Sequence, residues 1–571
     1  MNRLFSVIFA LLIVLHSYAV NMQHPRKSDV LKIIELANNY WQKTHPSHGN
    51  YFWNRAVYHV GNMEAYRTTG NAEYLAFSKA WSERNDWSGP KDSYWFGEND
   101  VPSNWINSYG ENNVLFGDCQ ICFQIYSEIH DVDAQDIYLE RAKQVLDYQV
   151  ATDAESYIWW ADGIFMLMPS MSHMYIKTGN VEFLNKMYAY WRYAVDLMWD
   201  TEEHLFYRDG SYVYPGHSTV ARGKDFWARG DGWVFAALAR VLKDFQQIPY
   251  QESEILLAQY NDYVNYYNMM AKSLKDAQQP EGYWSRSILD VNQAPGYEST
   301  GTELMLYGFL WGVNNGYFTE EEYGETIDKA WRYLSEVALQ YDGSVGYMQP
   351  IGSSASPGTY VGEDSQADFG VGGFLLAACE MYRYATEDGY EHVWKTYEFP
   401  FDTEKKYTIQ HCASGLYMNI VNDGSRVILS ETPTEVMFVA SDAEGQYYIT
   451  NGTEYVGMAG TNAWTMSAIS DKATTWTLNA ISDGVYSIKG INGCIGTDDT
   501  GEGAYCYGDK GARESKSAWI VNAVEEPDFI QCCNAANLNK SDAVYDLTGK
   551  RVDSFLPNHV YIKDKKKYVI R

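Results

Sequence analysis

Positive charge is scarce in this chain. Its 571 residues include 44 lysines and arginines against 74 aspartates and glutamates, which gives a formal net charge of −30. Such an excess of negative charge disfavours nucleic acid and anionic membranes as partners. An anionic substrate would therefore need a local cluster of cationic side chains.

Long apolar runs and low-complexity tracts are also missing. Beyond the N-terminus, no stretch stays apolar over the roughly 18 residues that a membrane span needs, so no transmembrane segment is expected. Hydrophobic residues nevertheless make up 46% of the chain, and the chain is too long for one core. The sequence therefore predicts several folded domains.

Cysteine is sparse, with eight residues in the whole chain. Cys119 and Cys122 have the C-x-x-C spacing, but they lie in an apolar helical segment and no second pair follows at the spacing of zinc ligands. Packing in the core is favoured over metal binding or redox chemistry. We expect no metal site and no other cofactor.

Residues 1–19 have the composition of a secretory signal peptide. Arg3 precedes an apolar run, and Ser17 and Ala19 place small residues where a signal peptidase requires them. No cysteine follows directly, which disfavours a lipoprotein anchor. The mature protein is predicted to be exported to the periplasm, the cell surface or the medium.

Between residues 27 and 397 the sequence predicts helices, and capping-type residues recur before the apolar ones. An inner helix is expected after each of Asn54, Asp118, Asp162, Asp231, Ser299–Thr300 and Asp368. The intervals leave room for a second, more amphipathic helix in each unit. Six such hairpins predict an all-α (α/α)6 barrel, with six buried helices inside a ring of six outer ones.

Aromatic residues are abundant, with 19 Trp and 48 Tyr. Several lie in loops before the inner helices: Trp95, Trp105, Trp159, Trp160, Tyr212, Trp227, Tyr283 and Trp284. Flat rings stack on sugar faces, but in a helical barrel many rings serve as core. Composition leaves both interpretations open.

Asp162 is the carboxylate best placed for chemistry. It follows Trp159 and Trp160 and precedes an apolar helical run, so it is suited to cap a helix or to face an aromatic-walled hollow. If the inner helices run parallel, Asp118 and Asp231 reach the same end of the barrel. The sequence therefore predicts the functional site at that end.

The loop 201–233 concentrates the cations of an otherwise acidic chain. Its basic residues are Arg208, Arg222, Lys224 and Arg229, with His217 among them. The loop is either a solvated surface balanced by its own aspartates or a pocket for a sugar that carries a carboxylate. A guanidinium fork suits a carboxylate.

Seven segments carry a family resemblance: GNMEAYRTTGNAEYL, GDCQICFQIY, WWADGIFMLMPSMSHMYIKTGN, FWARGDGWVFAAL, GYWSRSILD, ESTGTELMLYG and DFGVGGFLLA. Together they resemble glycoside hydrolase family 105, the unsaturated rhamnogalacturonyl hydrolases, and the related family 88. Members are (α/α)6 barrels, which agrees with the fold predicted from the helix starts.

The resemblance implies roles for particular residues. Asp162 matches the catalytic aspartate and Asp118 the second aspartate beside it, while Arg229 and Trp233 match the substrate-contacting residues of an RGxGW motif. The expected substrate-binding set also includes Arg208, His217, Trp159, Trp160 and Trp227. One position departs from the pattern, because Arg208 follows LFY where several members have histidine.

The implied reaction removes a 4,5-unsaturated uronate from the non-reducing end of a pectin-derived, rhamnogalacturonan-type oligosaccharide by hydrating its C4=C5 bond. Asp162 would protonate C4 and then deprotonate the water that adds at C5. Burial and the neighbouring Asp118 oppose the helix dipole, so a raised pKa is expected for Asp162. Two alternatives stay open: a conventional inverting glycosidase that uses both aspartates, and a non-catalytic carbohydrate-binding protein.

Residues 400–525 contain short β-like runs in three similar units, from Tyr407 to Phe438, Tyr448 to Trp476 and Tyr486 to Trp519. This repeat predicts an all-β, β-trefoil-like domain. It resembles ricin-type trefoils but lacks their QxW signature, so it is either a lectin or a structural accessory. Residues 530–571 are expected to form a short β tail, either a terminal hairpin or a sorting-like segment.

Overall fold

A computed structural model describes residues 24–89 and 115–395. In the C-terminal third it describes residues 401–412, 414–420, 427–443, 445–458, 466–469, 474–482, 485–490, 493–497, 504–507, 517–524, 531–533, 544–546, 551–552, 560–563 and 566–570. The chain divides into two units, Met1–Thr396 and Tyr397–Arg571. Trp95 and Trp105 lie outside the described residues, as does the predicted signal peptide.

The described part of the first unit has twelve α-helices in two layers. The inner helices are α2 (Trp53–Thr69), α4 (Cys122–His130), α6 (Ala161–Thr178), α8 (Ala228–Phe245), α10 (Thr300–Asn314) and α12 (Asp368–Tyr384). The outer helices are α1 (Lys27–Thr44), α3 (Ala72–Arg84), α5 (Ile137–Ala151), α7 (Glu182–Met198), α9 (Glu254–Ala277) and α11 (Glu320–Arg332). Each inner helix packs against the next and α12 packs against α2, which closes the ring. The predicted (α/α)6 barrel is confirmed.

Hydrophobic patterning explains the two layers. In the outer helix α11, the buried residues Tyr323, Ile327 and Ala330 recur at helical spacing, and Thr319 caps the helix through the N–H of Glu322. The inner helix α6 is instead buried on nearly every face. A helix that is apolar all round belongs inside the ring.

Glycine permits the closest inner contact. A Cβ atom on Gly61 of α2 would lie 2.2 Å from the carbonyl oxygen of Gly372 in α12, and a Cβ on Gly372 would lie 2.2 Å from that of Val57. No side chain fits at such distances. The two glycines therefore let the last inner helix meet the first.

Several inner helices begin differently from the prediction, although Ser299 is the N-cap residue of α10 as predicted. Trp160 is the N-cap of α6, so the predicted capping role of Asp162 is wrong and Asp162 is the second helical residue. Trp160 is held extended by a β-bridge to Asp209, which delays the start of the helix until Ala161. At α10 the acceptor is Glu298, whose carboxylate takes the N–H groups of the next two helical residues at 2.7 Å each.

The first unit also contains a two-stranded ribbon, β1 (Trp199–Asp200) and β2 (Leu205–Phe206).

The second unit is built from β-strands. The strands of the second unit are β3 (Tyr407–His411), β4 (Tyr417–Ile420), β5 (Val427–Ser430), β6 (Met437–Ala440), β7 (Tyr447–Thr450), β8 (Tyr455–Met458), β9 (Met466–Ile469), β10 (Thr477–Ser482), β11 (Val485–Gly490), β12 (Gly493–Thr497), β13 (Ala504–Tyr507), β14 (Trp519–Ala523), β15 (Gln531–Cys533), β16 (Tyr545–Asp546), β17 (Val560–Lys563) and β18 (Lys566–Ile570).

These strands form three sheets. One has the order β13-β12-β11-β14-β3-β4-β5, with β10 beside β11; the second has the order β6-β7-β8-β9. The third sheet, β15-β18-β17-β16, contains the terminal hairpin predicted in residues 530–571, since β17 and β18 pair antiparallel.

The threefold repeat is present, with a change of register. The first strand of each unit pairs with a closing residue: Tyr407 with Val436, Tyr447 with Trp476, and Tyr486 with Trp519. Tyr447 therefore opens the second unit instead of Tyr448, because the buried isoleucine stands two positions after the opening tyrosine in each case: Ile409, Ile449 and Ile488. In the first unit the closing residue is Val436 instead of the predicted Phe438. The pairing agrees with a trefoil-like domain, which stays a prediction.

None of the helices in the described ranges combines the length and the apolar composition of a membrane span.

Candidate active site

A cavity of about 270 Å³ lies at the N-terminal ends of inner helices α2, α4 and α6. Its described walls consist of Trp53, Asp118, Trp160, Asp162, Met166, Arg208, Ile351, Gly352 and Ser353. The two predicted catalytic carboxyls thus share one cavity with one cation of the long loop. A small concave site with few converging polar groups is the usual form of a ligand pocket.

Asp162 is presented by the first turn of α6. The N–H of Ala161 donates to the carbonyl oxygen of Arg208 at 2.8 Å, which ties the start of the helix to the loop. Asp162 is 9% exposed, and within the described residues its Oδ2 has no hydrogen-bond partner. The nearest cation is Arg208, whose Nε lies 3.7 Å from that oxygen. The carboxyl is enclosed but free to exchange a proton with a ligand.

Asp118 reaches the cavity from a single 3-10 turn, Gly117–Cys119, that precedes α4. Phe116 stacks on the indole of Trp160 at 4.4 Å between ring centroids, which joins this turn to the start of α6. Gly117 packs where a Cβ would lie 3.2 Å from Met166. The aromatic pair and the glycine together bring Asp118 beside Asp162.

The pKa of each carboxyl is raised above its usual value. Burial raises the pKa of Asp162, opposed by Arg208 and Arg229, so the predicted raised pKa is confirmed. Burial and repulsion from Asp162 raise the pKa of Asp118 well above its usual range, against the attraction of Arg208. The like-charge effect expected at Asp162 therefore falls on Asp118. A raised pKa suits a carboxyl that acts as a general acid.

Substitution of Asp118 by Asn is expected to raise Tm at about pH 7, by roughly 2 °C or more. The folded-state pKa of Asp118 lies above the unfolded value near 3.9. Wild-type stability therefore falls as pH rises from the unfolded pKa to the folded one, and an amide does not titrate. Thermal denaturation against pH measures the difference, which should vanish near about pH 3. An equal or lower Tm of the variant at neutral pH would contradict a strained carboxyl.

Arg208 is held on both sides of its guanidinium. Its Nη1 donates to Asp209 at 2.6 Å, and its Cζ lies 5.7 Å from the ring centroid of Trp159. Asp209 in turn accepts from the backbone and the hydroxyl of Ser211. The side chain that departs from the family pattern is thus aimed at Asp162 by its own neighbour.

Arg229 lies behind the cavity wall and is 1% exposed. Its Nη1 donates to Thr300 at 3.2 Å and to the carbonyl oxygen of Gln349 at 2.8 Å, and its Nη2 donates to the carbonyl oxygens of Pro350 at 3.0 Å and Gly352 at 3.4 Å. Burial lowers the pKa of Arg229 to about 10, so it stays charged at neutral pH. The guanidinium holds the backbone that forms the cavity rim, and the predicted contact with substrate stays a prediction.

Two predicted tryptophans also support the wall from behind. Trp233 is fully buried, 4.9 Å from Phe165 between ring centroids. Trp227 is 2% exposed and donates its Nε1–H to Gln349 at 2.9 Å. Neither ring lines the described cavity, because both lie beneath the residues that do.

Replacing Arg229 by Met is expected to cost about 2 kcal/mol of stability, since three carbonyl acceptors of the rim lose their charged donor. Hydrogen exchange should speed up at residues 349–352. Residues 356–359 serve as an internal control, because Arg286 and not Arg229 donates hydrogen bonds to the backbone there. A rise in KM with unchanged exchange would instead favour direct contact between Arg229 and substrate.

The other basic residues of the loop do not line the described cavity, and Arg222 among them is exposed. His217 pairs with Asp225 at 2.8 Å and contacts Tyr212, and it does not line the described cavity. Lys224 pairs with Asp200 at 2.9 Å. The cluster seen in sequence therefore separates in space, and Arg208 is its member on the cavity wall. Asp231, also expected at this end, accepts the N–H of Phe206 at 2.8 Å and so anchors β2.

Five wall positions were not predicted from the sequence: Trp53, Met166, Ile351, Gly352 and Ser353. Trp53 is the first residue of α2, one position before the predicted start at Asn54. An aromatic residue at the start of an inner helix was the sequence feature that could have indicated a wall residue. The three rim residues, Ile351 to Ser353, lie in a loop without a recognisable motif. They are also far from Asp162 in the chain, so the sequence does not indicate that they lie near it. The described thiols Cys119 and Cys122 are buried and unpaired, which confirms the packing prediction.

Residues 20–385 match the sequence profile of glycosyl hydrolase family 88. The chain belongs to this family. As a family 88 protein it is a glycoside hydrolase, and the predicted resemblance to families 105 and 88 is confirmed at this level. A non-catalytic carbohydrate-binding barrel is therefore set aside.

Several relatives of this family 88 protein are known. An unsaturated 3S-rhamnoglycuronyl hydrolase from Formosa agariphila is 28% identical over 363 residues, 60% of this chain and 88% of the relative. A solved structure described as a polysaccharide lyase is 49% identical with a TM-score of 0.58, over 63% of this chain and 98% of that one. A family 88 glycosyl hydrolase from Bacteroides vulgatus is 44% identical with a TM-score of 0.58, over 63% and 99%.

Proposed function

We propose that the protein removes a 4,5-unsaturated uronic acid from the non-reducing end of pectin-derived, rhamnogalacturonan-type oligosaccharides. The observation that carries the proposal is the enclosed carboxyl of Asp162, which lies beside the guanidinium of Arg208, has a raised pKa, and has one oxygen without a hydrogen-bond partner among the described residues. The name of the Formosa agariphila relative, an unsaturated 3S-rhamnoglycuronyl hydrolase, supports an unsaturated uronate as the sugar removed.

The chemistry needs one proton donor and one cation. Asp162 in its acid form gives its proton to C4, and positive charge develops at C5 and the ring oxygen. The resulting carboxylate takes a proton from water as the water oxygen bonds to C5, which restores the acid. The C5 hemiketal opens by cleavage of its bond to the ring oxygen, and the hemiacetal formed at C1 releases the aglycone alcohol.

Arg208 is assigned to the uronate carboxylate. Its Nε faces the cavity side near Asp162, while Asp209 holds its Nη1. Among the described residues that line the cavity, Arg208 is the basic one, and a guanidinium suits a carboxylate. Binding there would place the double bond next to the proton of Asp162.

Asp118 is assigned to charge control. Burial and the charge of Asp162 raise the pKa of the Asp118 carboxyl. Ionisation of both carboxyls at once is therefore unfavourable. Asp118 therefore keeps the pair from ionising fully before substrate binds.

Turnover of matched substrates tests the proposal. Unsaturated disaccharides released by pectin-type lyases and their saturated counterparts should be incubated with the enzyme. The released aglycone is measured for both, and loss of the ultraviolet absorbance of the conjugated uronate is followed for the unsaturated ones. Hydrolysis is expected for the unsaturated members. Equal hydrolysis of the saturated ones would overturn the hydration route and favour an inverting glycosidase that uses Asp118 and Asp162 together.

Export is part of the proposal. The composition of residues 1–19 supports it, and the family match begins at residue 20, directly after the predicted leader. N-terminal sequencing of the protein recovered from the periplasm, cell surface or medium should begin at or near Val20. Recovery of the full chain from the cytoplasm would contradict this.

A further inference from the structure

The rim segment 349–359 is fixed by two buried arginines. Arg229 donates to three carbonyl oxygens between Gln349 and Gly352, as described above. Arg286, 4% exposed, donates through Nη1 to the carbonyl oxygens of Ser356 at 3.2 Å and Thr359 at 3.1 Å. Charged donors make strong hydrogen bonds to backbone acceptors. The whole rim is therefore held to the barrel wall by its main chain.

Two further features show that the conformation of the rim is imposed. The side chain of Gln349 accepts from Trp227 and donates to the carbonyl oxygen of Ser354 at 2.6 Å, which closes the loop on itself. Ser356 has φ +48°, a left-handed conformation that L-residues with a side chain adopt at a cost. A loop held this firmly presents its outward side chains in fixed positions.

Ile351 is the outward side chain at the cavity mouth. It is 63% exposed although it lines the same cavity as Asp162 and Trp53. A branched apolar side chain on a rigid support gains by covering apolar surface of a ligand, since little entropy is lost on binding. The side chain has no hydrogen-bonding group.

We infer that Ile351 determines specificity for the sugar attached to the departing uronate, by contacting the methyl group of a 6-deoxyhexose. The inference rests on the proposed function. A hexose would place its hydroxymethyl group against Ile351, where a hydroxyl loses water and finds no partner. A methyl group at the same place gains apolar contact.

Paired substrates test this specificity. Unsaturated uronyl disaccharides of one linkage, with a 6-deoxyhexose or the corresponding hexose as aglycone, should be compared for wild type and Ile351→Ser. Loss of the contact should lower kcat/KM for the deoxyhexose substrate about five- to tenfold and change it less than twofold for the hexose substrate. Ile255→Ser, at an isoleucine 65% exposed on outer helix α9, is the matched control and should change neither.

A binding measurement separates this inference from the proposed reaction. Titration calorimetry with the saturated deoxyhexose disaccharide needs no turnover and can be run on Asp162→Asn and on Asp162→Asn/Ile351→Ser. A Kd raised about five- to tenfold by the second change supports the contact even if the unsaturated substrates are not hydrolysed. An unchanged Kd, absence of binding, or equal losses for both aglycones would overturn it.

Discussion

Asp162→Asn is expected to lower kcat for an unsaturated disaccharide at least about 10³-fold, because an amide can neither give a proton to C4 nor take one from water. The fold should persist, since the Asp162 carboxyl caps no helix and its Oδ2 accepts no hydrogen bond within the described residues. Loss of the conjugated absorbance under saturating substrate gives kcat, and circular dichroism with Tm checks folding.

Asp231→Asn is the matched control for this substitution. Asp231 also lies in the first turn of an inner helix, but its carboxyl is directed into the wall and accepts the N–H of Phe206. An amide oxygen can keep that bond, so kcat should stay within about tenfold of wild type. Near-normal turnover by Asp162→Asn, or equal losses in both variants, would remove Asp162 from the proton-transfer steps.

Arg208→Met is expected to lower kcat/KM roughly 10²-fold for the unsaturated substrate. A charge-assisted hydrogen bond to a carboxylate is worth about 1.5–3 kcal/mol, and Met keeps much of the bulk without the charge. Most of the loss should lie in KM, because the uronate carboxylate is present both in the bound substrate and in the transition state. Steady-state kinetics at constant ionic strength separates the two constants.

The same substitution should move the pH profile upward. Arg208 lowers the pKa of both Asp118 and Asp162, so its removal leaves each acid protonated to higher pH. Since Asp162 enters the reaction as the acid, the alkaline limb of kcat should shift to higher pH, opposite to the effect of adding a cation.

Arg222→Met supplies the control for charge alone. Arg222 belongs to the same loop, is exposed and does not line the described cavity. Its replacement should leave KM and the pH limb unchanged. If both arginine variants behave alike, general electrostatic steering explains the effect and Arg208 has no dedicated contact.

Much of the barrel could be predicted because its periodicity is local. Apolar helices opened by polar residues marked all six inner helices, and their common direction brought Asp118 and Asp162 to one end. The capping role predicted for Asp162 was wrong because a long-range bridge between Trp160 and Asp209 sets where α6 begins. A local signal carries no information about such a partner.

The roles within the RGxGW segment depended on tertiary structure. Arg229 and Trp233 lie in the first turns of α8. In the folded chain Arg229 donates hydrogen bonds to the backbone of the rim, and the indole of Trp233 is buried. Conversely, Ile351 carries no motif and gains its position from hydrogen bonds to its loop.

By itself the sequence determined the alternation of inner and outer helices, the family and the pair of acidic side chains, because helical periodicity and short motifs are encoded within a few turns of chain. Tertiary structure alone decided which of the loop cations reaches Asp162 and which residues form the rim. Those outcomes depend on contacts between segments far apart in the chain, where burial and hydrogen-bond satisfaction select one arrangement among many that the same composition allows.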